Sequence, residues 1–286
     1  MTLDAEDIAR REVFLRDLAR SAARLASDGF ARRSGLQGGG QAVGMKGPQD
    51  FLTETDGLIE DFVRARIHET FPEDGFLGEE TGGEPGAQAW VVDPIDGTAN
   101  FARAIPHFCV SIAFVANGEV QLGTIVNPVL FETHAARRGH GATLNGQPIR
   151  VATTTDIAAT SFEMGWSNRR PTAEYIAAVG KLYDAGSNVR RGACGALGLA
   201  YVADGRSDGY AELHMNSWDC LAGLLLVHEA GGVTGPFLSL GGLTQGAPVL
   251  AAAPGVADVL SAATGIPLLR GPDLVPAGAD RMMRTA

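Results

Sequence analysis

Cysteine is scarce in this sequence: three in 286 residues, Cys109, Cys194 and Cys220. They are odd in number, widely spaced and outside any CxxC or CxxH arrangement, which excludes a disulfide framework and a short-spaced zinc motif. Neither is needed, because a chain of this length buries about three quarters of its unfolded surface. Long apolar runs are missing too. The longest, such as 221–227, fall far short of a bilayer's thickness. The first residues alternate charge with apolar side chains (Asp4, Glu6, Asp7, Arg10, Arg11, Glu12), the wrong texture for a signal peptide. A soluble, cytoplasmic chain with reduced thiols and no membrane partner is expected. The six histidines (His68, His107, His134, His140, His214, His228) show no metal-ligand spacing. Positive charge is also short, since 23 Lys and Arg against 33 Asp and Glu leave a net charge of −10. Such a field repels a nucleic-acid backbone, so nucleic acid is not an expected partner. It equally repels a small phosphate, unless acidic residues gather a cation and overturn the sign locally.

What is present is an ordinary globular composition, 45% hydrophobic and 20% charged, enough for one large domain or two intimate halves. The spacing of Ile8, Leu15, Leu18, Ala22 and Leu25 predicts an amphipathic helix over 5–29. A glycine-rich stretch, 34–47, follows, with Lys46 as its only lysine. Beside a site such a stretch suits a lid. A second helix is expected around Leu58, Ile59, Phe62, Val63 and Ile67. From Trp90 the pattern turns to strands at 90–92, 108–116 and 119–126, with Asn117-Gly118 as a hairpin signal and Asn145-Gly146 as a further turn. Strand and helix candidates then alternate at 161–166, 173–183, 196–203, 209–213, 221–230 and 249–253. These features predict an α/β chain with mixed sheets and layered helices. One catalytic unit is expected over 1–270, in halves of about 1–150 and 151–270, with a polar tail over 271–286.

The chemistry concentrates in Trp90-Val-Val-Asp93-Pro-Ile-Asp96-Gly97-Thr98-Ala-Asn100-Phe101. A buried strand delivers Asp93, Pro94 turns the backbone, and Asp96 arrives three residues later. Two carboxylates so close repel unless cations sit between them. Oxygen donors without sulfur point to a hard ion, Mg²⁺ before Mn²⁺, Ca²⁺ or Zn²⁺. A helix starting after Gly97 would aim its first amides and the Thr98 hydroxyl at the same place, where an anion is favoured. Taken alone, the segment fits an ordinary Asx turn equally well, because Asp and Gly are common turn residues.

In the wider sequence the chain resembles the inositol monophosphatase family. The resemblance runs over about 50–232 and is carried by several ordered motifs. These are Asp50-Phe-Leu-Thr-Glu-Thr-Asp56, Gly78-Glu79-Glu80, Asp93-Pro-Ile-Asp96-Gly-Thr98, Trp218-Asp219 with Ala222-Gly223, and Glu229-Ala-Gly-Gly232. It implies a layered αβαβα sandwich of the inositol monophosphatase and fructose-1,6-bisphosphatase type, and a homodimer. It also implies a Mg²⁺-dependent, lithium-sensitive phosphatase acting on a small phosphorylated polyol or sugar, foremost inositol 1-phosphate. By the same resemblance Glu79, Asp93 and the Ile95 carbonyl hold one Mg²⁺, and Asp93, Asp96 and Asp219 hold a second. Glu79 helps a weaker third. Gly97 and Thr98 bind phosphate through their amides, while Thr98, hydrogen-bonded to Asp56, helps Glu79 orient the attacking water. Lys46 matches a loop lysine near the metal site, and direct in-line hydrolysis without a phosphoenzyme is implied.

Each residue also has a plainer reading. Glu79 and Glu80 fit a solvated acidic pair, Lys46 a surface lysine, and Asp56 and Asp219 fit helix caps. For the substrate, the resemblance assigns Glu212 to polyol hydroxyls and Arg190, Ala193, Cys194 and Gly195 to the pocket wall, beside Asp96 and Asp219. Here the sequence departs from the usual pattern. Cys194 replaces a common Thr or Ser, Gly195 a common Ala, and Gly198 a polar Asn or Asp. The segment 166–171 is also unusual. The same metal site would serve fructose 1,6-bisphosphate, histidinol phosphate or a 3′-phosphonucleotide. A different class, an RNA- or polymerase-associated regulatory factor, calls for a basic patch, for which Arg169-Arg170 and Arg190-Arg191 are the candidates.

Overall fold

A computed structural model describes residues 3–33, 43–47 and 50–269, with the backbone alone for 43–47 and 50–52. The tail expected over 271–286 and most of the glycine-rich stretch lie outside the described residues, as does the Lys46 side chain. The chain opens with helix α1 (Ala5–Arg33), a hairpin of β1 (Val43–Gly47) and β2 (Asp50–Thr53), and helix α2 (Glu54–Thr70). Glu6 and Asp7 open α1 and Arg32 and Arg33 close it, which complements its dipole. Its buried stripe includes Leu15, Leu18 and Ala22, as the helical spacing requires. Arg11 is buried in the same helix and pairs with Asp74 at 2.7 Å. Trp90 Nε1 donates to that carboxylate at 2.9 Å, so the buried charge is fully met.

A seven-stranded sheet follows, its spatial order matching chain order. It comprises β3 (Gly75–Gly78), β4 (Gln88–Asp96), β5 (Cys109–Ala116), β6 (Glu119–Asn127), β7 (Glu132–Arg137), β8 (Ala142–Leu144) and β9 (Gln147–Pro148), with the one-turn helix α3 (Thr98–Ala102) after β4. β3 and β4 run parallel, and the later pairs are antiparallel. Asn117 and Gly118 turn at φ 54° and 78°, and Asn145 and Gly146 at 50° and 79°. Both are the left-handed pairs that two-residue hairpins need.

The second half supplies β10 (Ser161–Met164), α4 (Thr172–Asp184), β11 (Asn188–Arg190), α5 (Gly195–Ala203), β12 (Gly209–Met215), α6 (Ser217–Glu229), β13 (Val233–Thr234), α7 (Gly242–Gln245), β14 (Ala247–Ala252) and α8 (Ala257–Thr264). Its five-stranded sheet has the order β11-β10-β12-β14-β13.

Three apolar cores define the layers. One packs Leu18, Ile59 and Val63 of α1 and α2 against Trp90, Ile112 and Phe114 of the first sheet. A second fills the space between the sheets with α5 and α6, which are apolar on every side because both faces are covered. The third sets Leu182 and Leu260, from α4 and α8, on the far face of the second sheet beside Phe162 and Leu250. The result is the αβαβα sandwich expected. The Ala222-Gly223 pair earns its place by close approach: a Cβ at Gly123 of β6 would stand 2.9 Å from Ala222 Cα, and one at Gly223 would stand 2.5 Å from the Leu199 side chain. Among the described residues no helix is long and apolar enough to cross a membrane.

Two elements exceed their expected limits. β4 continues past Asp93 to Asp96, absorbing Pro94 through a register shift against β5. α6 starts at Ser217 rather than near residue 221, because a capping box between Asn216 and Asp219 holds its first turn, where Trp218 and Cys220 also pack on the core.

Candidate active site

β4 ends at the mouth of a cavity of about 550 Å³ between the two halves. Asp93 is 1% exposed, and neither of its carboxylate oxygens meets a protein donor. Carboxylate oxygens of Asp93, Asp96 and Asp219 lie within 4.8 Å of one another. Burial, followed by the charges of Glu79, Asp96 and Asp219, pushes the Asp93 carboxyl well above the usual carboxylate range. Burial also lifts Asp96 to about 7, with Asp219 adding to it. Asp219 is raised chiefly by burial. A buried carboxylate with both oxygens unmet, crowded by two half-buried ones, is a costly arrangement for a protein alone. Oxygen-only donors at this spacing fit a hard divalent cation.

Gly97 takes φ 89°, and a Cβ there would approach the His107 carbonyl to 3.0 Å and Cys194 Cβ to 3.2 Å. Glycine is therefore required for the turn that starts α3. The Thr98 hydroxyl has one proton and two acceptors, the Ile95 carbonyl at 2.8 Å and Asp56 Oδ1 at 3.3 Å. The expected Thr98–Asp56 contact is present.

Asp56 and Asp219 are not helix N-caps. Thr53 and Asn216 hold those positions, and the two aspartates sit at the third residue of α2 and α6, completing capping boxes. One oxygen of each takes the N-cap amide, at 3.0 Å for Thr53 and 3.1 Å for Asn216. Asp56 is buried, and that burial lifts it to about 6.

Glu79 follows β3 and lines the cavity. Its amide donates to the Val92 carbonyl at 3.2 Å, which fastens it to β4. The segment is fixed further by Glu60, a fully buried carboxylate on α2 that sequence reasoning passed over. Glu60 accepts the amides of Glu80 at 2.8 Å and Thr81 at 2.9 Å, and Arg64 one turn on pairs with it at 3.2 Å.

The rest of the wall comes from the second half. Cys194 and Gly195 line the cavity with Ala193, which has φ 57°. Ala196 N–H donates to Asp96 Oδ2 at 2.6 Å and Cys194 Sγ lies 3.2 Å from the same oxygen. Glu212 lines the cavity, and burial pushes its carboxyl up to about 8 although Tyr210 Oη donates to it at 2.6 Å. Arg190 is placed differently from the expectation: its guanidinium stands 3.9 Å from Glu163, and it is Arg191 that lines the cavity, together with Arg103 and Arg169. Asn100 is another residue the sequence did not single out. Its amide group donates to the carbonyls of His107 at 2.8 Å and Gly192 at 2.9 Å, tying α3 to the turn before α5.

Comparison with known proteins agrees with this geometry. The model of the inositol monophosphatase family matches residues 7–261. The Nus factor SuhB of Escherichia coli K12 is 39% identical over 197 residues, covering 67% of this chain and 74% of that protein. The inositol-1-monophosphatase of Mesorhizobium japonicum is 39% identical over 219 residues, 75% of this chain and 80% of that protein. Among solved structures, the Thermotoga maritima IMPase superposes with a TM-score of 0.79 at 30% identity, covering 90% of this chain and 97% of that one.

Proposed function

The chain belongs to the inositol monophosphatase family, the phosphoric monoester hydrolases whose model spans it, and on that premise we propose a Mg²⁺-dependent phosphatase that releases phosphate from a small polyol or sugar monoester, foremost inositol 1-phosphate. The observation that carries this reading is Asp93: a buried carboxylate with two unmet oxygens, crowded by Asp96 and Asp219. Glu79, Asp93 and the Ile95 carbonyl would hold one ion. Asp93, Asp96 and Asp219 would hold a second, and Glu79 would assist a third. Bound Mg²⁺ supplies an activated water and neutralises charge on the phosphoryl oxygens.

The protein's own groups do the rest. Glu79 and Thr98 together orient the attacking water, the Thr98 oxygen accepting a hydrogen bond from it while the Thr98 hydroxyl donates to Asp56. The amides of Gly97 and Thr98 take the phosphate oxygens. Glu212, with Asp96 and Asp219 beside it, meets the polyol hydroxyls, and Ala193, Cys194 and Gly195 form the wall. A homodimer, a cytoplasmic location and inhibition by Li⁺ complete the proposal.

Two observations favour other readings. Arg169 and Arg191 face the cavity and would suit a second anionic group, as in fructose 1,6-bisphosphate. The E. coli relative is named a Nus factor, which suits a regulatory role. Both basic pairs are exposed, but each is only two residues long: Arg170 is paired with Glu174 at 2.7 Å, Arg190 stands 3.9 Å from Glu163, and Arg169 and Arg191 also line the cavity. Phosphate release is measured from a panel of mono- and bisphosphates, with and without Mg²⁺ and Li⁺. Mg²⁺-dependent release that disappears in Asp93→Asn is expected. No release from any member by folded protein would shift the weight to the regulatory role.

A further inference from the structure

Cys109 and Cys194 are far apart in sequence, yet their sulfurs lie 3.7 Å apart. Cys109 is the register partner of Asp96 across β4 and β5, and Cys194 is the N-cap of α5. Cys194 Sγ stands 3.2 Å from Asp96 Oδ2, and an oxygen of Asp96 and both sulfurs all lie within 4.8 Å of one another. A tetrahedral ion with metal–sulfur bonds of about 2.3 Å requires its two sulfurs about 3.8 Å apart, and a carboxylate oxygen about 3.5 Å from each. A disulfide would need the sulfurs at about 2.05 Å. The spacing matches the dithiolate clasp and not the covalent bond. Cys194 and Asp96 line the cavity while Cys109 is fully buried behind them, so an ion would reach the site from the cavity side.

We propose that Cys109, Cys194 and Asp96 form an inhibitory site for a thiophilic divalent cation, Zn²⁺ or Cd²⁺. Thiolate sulfur selects such ions over Mg²⁺, which keeps to oxygen. On binding, each thiol gives its proton to solvent as its metal–sulfur bond forms, and no electrons are transferred. Asp96 then serves the soft ion and is withdrawn from the hard-ion cluster it shares with Asp93 and Asp219. The binding site stands on geometry alone, whereas the inhibition rests on the phosphatase reading above. Two readouts separate them.

The first is the ultraviolet thiolate-to-metal charge-transfer band when Cd²⁺ alone is added to Mg²⁺-free, fully reduced protein. The band is expected in the wild type at one ion per chain and absent from Cys109→Ala and Cys109→Ser, two variants whose folding is checked by thermal melting. The second readout is Mg²⁺-dependent phosphate release. Both variants are expected to retain it and to tolerate Zn²⁺ at concentrations at least tenfold above those that inhibit the wild type. No band in reduced wild-type protein, or a band that persists in both folded variants, overturns the site. A band lost in the variants with equal Zn²⁺ sensitivity in all three proteins overturns the inhibitory role. If no phosphatase activity exists at all, the phosphatase reading fails, while the band still decides the site.

Discussion

A Cβ at Gly198 would stand 2.5 Å from the ring of Tyr210, and one at Gly195 would stand 2.9 Å from its hydroxyl. These two glycines are among the departures from the family pattern noted in the sequence, and the structure supplies their reason: they make room for a buried tyrosine that donates to Glu212 at 2.6 Å. The sequence could not pair them, because Tyr210 lies on the following strand and nothing in the pattern shows that its ring folds back onto α5. Gly198→Ala should therefore push the ring aside and strip Glu212 of its donor. Overpacking of this kind costs about 1–3 kcal/mol of stability. The enzymatic signature should be a KM for a polyol phosphate raised about tenfold, the worth of one good hydrogen bond, with kcat on p-nitrophenyl phosphate unchanged. Equal losses on both substrates would remove Tyr210 from polyol recognition.

Several elements place the site by one repeated device. In α2 and α6 alike, the aspartate at the third helical position spends one oxygen on the N-cap amide. At Asp56 the other oxygen reaches Thr98, and at Asp219 the carboxylate reaches the cluster with Asp93 and Asp96. Ser217 and Asp219 in the first turn of α6 interrupt the apolar run and hid its true start from an apolar-periodicity reading, which is why the helix was expected near residue 221. The device extends to the turn after β3, where Glu60 of α2 gathers the amides of Glu80 and Thr81 and so fixes the segment bearing Glu79. Nothing in the spacing of Ile59, Phe62 and Val63 marks Glu60, since a helix face read for apolar residues passes over a charge. Glu60→Gln keeps the shape but exchanges an acceptor pair for an amide that cannot accept from both backbone groups with both atoms. Mg²⁺-dependent activity is expected to fall about 10–100-fold, the usual cost of losing an outer partner. The Mg²⁺ concentration for half-activity should rise as well. A variant with wild-type Mg²⁺ response would show that Glu79 is held by β3 and β4 alone.

Across the molecule, the clustered carboxylates Asp93, Asp96 and Asp219 were legible because they travel with short motifs, whereas the sheet order β11-β10-β12-β14-β13 was not, because it depends on which strands a crossover brings together. The polar, alternating β7 and the short α8 likewise gave too little pattern to stand alone. The site's position between the two halves has a consequence for the stability of the whole chain. Asp96 and Glu212 titrate near the ordinary carboxylate value when unfolded, about 4, but near about 7 and about 8 in the fold without metal. Between those limits the folded chain binds more protons than the unfolded one, so metal-free stability falls as pH rises from about 4 through 8. A cation at the cluster offsets the charge that burial penalises, and its binding adds stability by mass action. The rise in Tm on adding Mg²⁺ should thus be small at pH 5 and grow to several degrees by pH 8. Calorimetry at fixed Mg²⁺ across that range checks it, with Asp93→Asn as the variant in which the growth is lost. A shift that is the same at every pH, or that survives in the variant, would mean that the ion binds away from these carboxylates and that their crowding is relieved in some other way.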